Sequence, residues 1–138
     1  MLYHTASTGP SIEAVHLAFA MAIRIAIENE LNEIAIFVHG KTNLDGVVSD
    51  ALGGIARKLQ KPNGTIEITG ITVHLETERV KSNFQSGVLI AMHLSTKLLE
   101  KALQDQRATD VIYVPWAPEE LGEYLNENSS TELSVSNK

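Results

Sequence analysis

Residues 34–46 read IAIFVHGKTNLDG, and the order of apolar and polar residues in this stretch decides the fold class. Ile34 to Val38 is an unbroken apolar run, which is typical of a parallel strand covered on both faces. From Leu44 to Leu59 the apolar residues follow the i, i+3, i+4, i+7 spacing of a helix. A buried strand followed by an amphipathic helix predicts an α/β protein.

The corner between strand and helix, HGKTN (39–43), ends like a phosphate-binding loop. Such a loop requires G-x-x-x-x-G-K-[ST], and Ala35 stands where the first glycine must be. We therefore interpret Gly40 as a tight turn, and Thr42 with the acidic residue three positions later as a helix cap. Lys41 is either a solvated surface residue or a residue that contacts an anion held by the amides of the helix.

The rest of the chain alternates between strand and helix patterns. Strands are predicted at 2–6, 65–76 and 111–114, and helices at 12–30, 88–103 and after Pro118. Within 65–76 the alternation changes phase at Gly70, which predicts a bulge or turn there and an edge strand.

These elements together predict an α/β three-layer sandwich with a mostly parallel sheet of four to five strands, Rossmann-like or flavodoxin-like. We expect residues 1–126 to form a single α/β domain. The polar residues 127–138 are expected to form a disordered C-terminal tail.

Composition excludes several kinds of site and partner. The 138 residues contain no cysteine, which rules out disulfides, thiolate catalysis and cysteine-based zinc sites. With 17 acidic against 11 basic residues, the net charge is −6, which argues against nucleic acid as a partner. The start of the chain has no secretory signal pattern, and the longest apolar stretch, 17–27, is too short to span a bilayer. We therefore expect a cytoplasmic protein with no membrane partner.

The predicted site lies at the carboxyl ends of the strands, where sheets of this class bind ligands. We expect an anionic, phosphate- or nucleotide-like small molecule there, held by cationic and hydroxyl side chains, with one residue transferring protons. The predicted ligand-binding residues are Ser7, Thr8, Lys41, Arg79 and Trp116, and the predicted catalytic residues are His39 and Glu76.

Each of these residues also has a structural interpretation. Hydroxyl residues are what any turn or helix cap uses. The polar segment 74–87 fits a solvated loop with local ion pairs, and Trp116 fits a residue that packs the last helix onto the sheet. Neither the reaction nor a cofactor follows from the sequence, so whether the protein is an enzyme stays open.

Three histidines, His4, His39 and His74, fall in or at the end of predicted strands. Converging imidazoles would hold zinc, but convergence requires adjacent strands and a common face. The spacing H-x-x-x-H is absent, and we predict no metal site. The two other histidines, His16 and His93, are assigned to helices with structural roles.

The first helix is apolar nearly all round between Leu17 and Ile27, which is unusual for a helix on the outside of a sandwich. A second buried face predicts a homo-oligomer contact, or cover by the C-terminal segment. The alternative function is therefore a non-catalytic, homo-oligomeric interaction or regulatory module.

Overall fold

The computed structural model describes residues 1–61 and 64–133, and within them seven strands form one sheet flanked by helices. The strands are β1 (Leu2–His4), β2 (Glu33–Val38), β3 (Thr65–Ile68), β4 (Ile71–Thr77), β5 (Gly87–Met92), β6 (Ala108–Val114) and β7 (Thr131–Glu132). The helices are α1 (Ile12–Glu28), α2 (Val47–Leu52), α3 (Gly54–Leu59), α4 (Thr96–Leu103) and α5 (Pro118–Glu127), with a 3-10 turn at Lys41–Leu44.

The sheet order is β3-β4-β2-β5-β6-β1-β7, and every neighbouring pair is parallel except β3 and β4. The predicted α/β class with a mostly parallel sheet is confirmed, but the predicted count of four to five strands is wrong. The two extra strands are β5, whose sequence also fits a helix, and the two-residue β7.

The helices cover both faces of the sheet. On one face, α1, α2 and α3 pack on the side chains of Ile34, Ile36 and Val38. On the other, α4 and α5 pack with Ala35 and Phe37. Covering on both faces explains why β2 is apolar at every position from 34 to 38.

The segment after β2 is not the continuous helix predicted from Leu44 to Leu59. It divides into the 3-10 turn, α2 and α3, because Gly46 and Gly53 adopt positive φ angles of 73° and 54° and interrupt the helix. The predicted Thr42 cap is also wrong, because the residue that precedes the 3-10 turn is Gly40. The amide of Gly40 donates to Asn43 Oδ1 at 2.9 Å. The apolar spacing still holds, because each short helix buries its own part of the stripe.

The helix predicted at 88–103 is a strand followed by a helix. Residues 87–92 are buried at every position in β5, between β2 and β6, and only residues 96–103 are helical. His93, at φ +54°, separates them, and it therefore lies at a strand end rather than on a helix.

The segment 65–76 is an antiparallel hairpin whose turn is at Thr69 and Gly70, so the turn predicted at Gly70 is confirmed. The prediction of one edge strand holds only for β3. β4 lies between β3 and β2, and its His74, Glu76 and Thr77 are buried.

Helix α1 buries small side chains against the sheet and leaves isoleucines exposed at its two ends. Ala18, Ala22 and Ala26 are fully buried against the sheet, where small side chains allow close packing. Ile12 and Ile27 are 44% and 56% exposed. Within residues 1–61 and 64–133, none of the helices combines the length and apolar character needed to cross a bilayer.

Part of the segment expected to be a tail is a strand. Tyr3 and His4 of β1 pair in parallel with Thr131 and Glu132 of β7, and Leu133 is buried at the end of it. Residues 134–138 lie outside the described residues.

Candidate functional site

The sheet has a topological switch point between β2 and β5. The chain leaves β2 toward β4 on one side and leaves β5 toward β6 on the other, so a crevice opens between the two departing loops. The backbone amide of Ser95, after β5, donates to Nε2 of His39, after β2, at 3.1 Å. This bond joins the two loops and places the proton of a neutral His39 ring on Nδ1.

A crevice of about 500 Å³ lies beside this switch point. It collects residues from the carboxyl ends of four strands: Pro10 after β1, the loop after β2, His93 after β5 and Trp116 after β6. The loop contributes Thr42, Asn43, Asp45, Gly46 and Val47. We call this the switch-point crevice.

His93 is the most unusual residue of the switch-point crevice. Its φ of +54° is a backbone conformation that costs a non-glycine residue about 1–3 kcal/mol and that clusters at functional sites. Its Nε2 is buried and has no hydrogen-bond partner in the described part of the chain. Burial also lowers the pKa of His93 from 6.5 to about 4, so the ring is neutral near pH 7.

Trp116 forms one wall of the same crevice. Its ring meets the ring of His93 edge-on, with centroids 4.8 Å apart, and the residue is 47% exposed. The amide of Gly9 donates to the Trp116 carbonyl at 2.7 Å, which ties the loop after β1 to the loop after β6. An indole held this way offers a ring surface to a ligand.

A second cavity, of about 120 Å³, lies at the carboxyl ends of β2 and β4. β3 begins at Thr65, opposite His74, so β3 does not cover the outer edge of β4 beyond that point. Three lysines line the cavity: Lys41, Lys61 and Lys81. Within residues 1–61 and 64–133 none of the three forms an ion pair. We call this the lysine cavity.

His74 also lines the lysine cavity and is 6% exposed. Its Nε2 lies 2.9 Å from a Glu33 carboxylate oxygen, and its ring lies 6.0 Å from that of Phe84. Its Nδ1 is buried without a hydrogen-bond partner among the described residues. The lining of the cavity therefore combines three cationic side chains with a buried histidine.

Glu76 belongs to a different structure, a buried ion cluster on the α4 side of the sheet. Its carboxylate accepts from Arg107 Nη2 at 3.0 Å, from the Ser82 amide at 2.9 Å and from Ser82 Oγ at 2.5 Å. Arg107 also binds Asp105 at 2.7 Å, which lowers the pKa of Asp105 and raises that of Arg107. Because both Glu76 oxygens already accept hydrogen bonds, this carboxylate suits a structural role better than proton transfer.

The predicted site residues are therefore not gathered in one place. Lys41 lines the lysine cavity and Trp116 the switch-point crevice, whereas Glu76 is in the ion cluster. His39 links two loops at the switch point. The others lie on the surface near the strand ends without lining either cavity: exposed Ser7 and Arg79, and the partly buried Thr8.

The three strand histidines do not converge. His4 is bound to Ser130, His39 to Ser95, and His74 lies beside Glu33. Three strands separate β1 from β4. Among residues 1–61 and 64–133, no group of three or more metal-ligating side chains is positioned to hold a metal ion.

Sequence reasoning missed several of the residues that form these cavities. His93 was assigned to a helix, although the apolar run 88–92 followed by Ser95 and Thr96 also fits a strand followed by a helix start. Lys61 and Lys81 join Lys41 only through the tertiary fold, and no local spacing signals this.

No protein-family model, curated protein or solved structure matches the chain. Its function therefore has to be argued from its own residues and geometry.

Proposed function

We propose that the protein is a cytoplasmic, Rossmann-like domain that binds a small anion of the phosphate class in the lysine cavity. The observation that carries this proposal is a group of three lysines around one cavity, none of which forms an ion pair with the residues that the structure describes, and the buried His74 lines the same cavity. The Rossmann-like assignment is supported by the switch point between β2 and β5. The strand order differs from the classic one in placing β1 outside β6.

Charge supports an anion rather than a neutral ligand. The whole chain carries a net charge of −6, so three lysines at one cavity stand out from an acidic background. Lysine binds phosphate as a point charge, and hydroxyl and amide groups complete the coordination. Thr65, Thr77 and Asn83 line the cavity and supply such groups. The volume of about 120 Å³ suits a small anion.

The lysine cavity also agrees with the site position predicted from sequence. It lies at the carboxyl ends of β2 and β4, and Lys41 is one of the residues predicted to fix the anion. Arg79, the other predicted cation, is on the exposed loop after β4 and does not line the cavity. We assign its predicted role to Lys81, two residues later.

The experiment is a titration with inorganic phosphate at constant ionic strength, in which binding is measured by calorimetry. Wild-type protein should bind phosphate, and Lys41→Met and Lys81→Met should each weaken the affinity roughly 10-fold, because each removes one charge-assisted contact. Lys97→Met is the matched control, since Lys97 is an exposed lysine on α4 that lines neither cavity.

Three results would contradict the proposal: no phosphate binding by the wild type, equal affinity in Lys41→Met and wild type, or an equal loss in the Lys97→Met control. The last would mean that phosphate responds only to the net charge of the protein. Thermal unfolding of each variant without phosphate separates loss of binding from loss of fold.

The alternative function, a homo-oligomeric module, is favoured by one observation on α1. Ile12, Phe19, Ile23 and Ile27 fall on one stripe of the helix; the two ends are exposed and the middle is partly buried. A second copy of the chain would cover this stripe.

Ile27→Glu tests the alternative, with Leu125→Glu on α5 as a control of similar exposure. Light scattering should show an oligomer for wild type and for the control, and a smaller species for Ile27→Glu. A wild-type monomer at high concentration would rule the module out. Substitutions at Ala22 or Ile25 do not test it, because both residues are buried in the core and a glutamate there would unfold the protein.

A further inference from the structure

The switch-point crevice is a second site that the anion proposal does not use. It is about four times as large as the lysine cavity, at about 500 Å³ against about 120 Å³. The 3-10 turn separates the two, since Lys41 lines one and Thr42 and Asn43 line the other. The larger volume suits an organic molecule rather than a single small anion.

Charge sets this crevice apart from the lysine cavity. The residues that line it include no lysine or arginine, and their one carboxylate is that of Asp45. Asp45 Oδ1 accepts from Gln60 Nε2 at 3.0 Å, and Oδ2 makes no hydrogen bond within the described residues. This oxygen favours a ligand with hydroxyl or amino donors and disfavours a phosphate.

The crevice also has an aromatic lining residue, Trp116. Trp116 is 47% exposed although it is the single tryptophan of the chain, and the bond from Gly9 to its carbonyl holds its backbone. Indole rings bind planar heterocycles by stacking, largely independently of which base is present. Thr42 and Asn43, on the loop after β2, also line the crevice.

His93 adds a reason to regard the crevice as more than a surface depression. His93 adopts a positive φ, a conformation in which a glycine would be free of strain. Its Nε2 is buried without a partner in the described part of the chain. A neutral imidazole can both donate and accept one hydrogen bond. The edge-on contact at 4.8 Å places this ring against the ring of Trp116, and both residues line the crevice.

From these observations we propose that the switch-point crevice binds an uncharged nucleoside. Its base stacks on Trp116, its ribose hydroxyls donate to Asp45, and Thr42 and Asn43 contact the sugar or the base edge. A nucleoside combines a planar heterocycle, which can stack on Trp116, with two adjacent hydroxyl donors, which can bind to the Asp45 carboxylate. The proposal does not depend on the lysine cavity, and either can fail without the other.

The experiment uses adenosine and uridine as probes, with inorganic phosphate and free indole for comparison. Binding of the nucleosides and of phosphate is followed by the fluorescence of Trp116, the single tryptophan of the chain, and in parallel by calorimetry. Free indole is itself fluorescent, so its binding is measured by calorimetry alone. Adenosine or uridine should change the fluorescence saturably, and inorganic phosphate should not change it.

Two variants test the contacts. Trp116→Ala should weaken nucleoside affinity, measured by calorimetry, about 10-fold or more, because a stacking platform is lost. Asp45→Asn should weaken it roughly 10-fold, because a charged acceptor is lost. Asp50→Asn is the matched control: it makes the same change in charge at an exposed residue of α2 that does not line the crevice, and it should bind as the wild type does.

Several results would overturn the proposal. Absence of binding by both nucleosides is one, and affinity unchanged in Asp45→Asn and Trp116→Ala is another. Indole binding as tightly as adenosine would show that the hydroxyl donors contribute nothing and that the ligand class is wrong. Thermal unfolding of Asp45→Asn, a surface variant, shows whether a loss of affinity reflects the site or the fold.

Discussion

Replacing Glu76 by alanine distinguishes a structural carboxylate from a proton-transfer group. Glu76 is 3% exposed and accepts three hydrogen bonds, one from Arg107 Nη2 and two from Ser82. Its removal leaves the donors of Ser82 without an acceptor and takes one of two carboxylates away from Arg107. We expect Glu76→Ala to destabilise the fold.

The size of the effect follows from the geometry. Breaking a buried ion pair by removing one partner costs about 3–5 kcal/mol. Arg107 is one-quarter exposed and keeps its 2.7 Å contact with Asp105, which places the expected loss near the lower limit, about 3 kcal/mol. For a chain of 138 residues, with an unfolding entropy of about 2.1 cal/mol/K per residue, this lowers Tm by about 10 °C.

The assay is thermal unfolding by calorimetry, supported by urea unfolding. Glu78→Ala is the control, because Glu78 is an exposed carboxylate two residues away, and the change should be below about 0.5 kcal/mol. Glu76→Gln keeps the size of the side chain and should fall between the alanine variant and the wild type. If Glu76→Ala melted at the same temperature as Glu78→Ala, the reasoning about the buried cluster would be refuted.

Two further predictions concern packing and pH. At Gly87 an added Cβ would clash with the Glu33 carbonyl oxygen, so Gly87→Ala should cost about 2–3 kcal/mol of stability. At Gly122 in α5 an added Cβ would meet no atom of the described residues within 4 Å, so Gly122→Ala should stabilise the protein by about 0.5–1 kcal/mol. Equal melting temperatures of the two variants would contradict both expectations. Because burial lowers the pKa of His93 from 6.5 to about 4, the unfolded chain binds a proton in this range that the folded chain does not, so the free energy of unfolding should fall as the pH is lowered from about 6.5 to about 4. His93→Asn, which tolerates the positive φ, should make that decline shallower in urea titrations, and an unchanged slope would count against it.

The sequence was informative wherever local chemistry alone determines an element. The apolar run of β2, the N-terminal cap of α1 at Ser11 and the proline at the start of α5 each correspond to an observed element. β5 was assigned to a helix because Val88 to Met92 is apolar at every position, and a run without periodicity fits both structures. Only the layers on its two faces, which come from distant parts of the chain, make it a strand.

The candidate site was harder to predict for a related reason. Arg107 reaches Glu76 across 31 positions of sequence, and no spacing relates them. Lys41 was identified because it follows a strand. Lys61 precedes β3 and Lys81 follows β4, and both line the same cavity as Lys41. The backbone conformation of His93 carries no signal in the sequence, because residues with positive φ are usually glycine or asparagine.

The two outermost strands of the sheet, β3 and β7, are short, and short edge strands reduce aggregation. β3 has four residues and β7 two, and Glu67 and Glu132 place a carboxylate on each. Long, flat apolar edges recruit strands from other molecules, whereas short, charged edges do not. By pairing with β1, the two residues of β7 keep the backbone edge of that strand from serving as a template for misassembly. β7 therefore protects the native sheet from pairing with strands of other molecules.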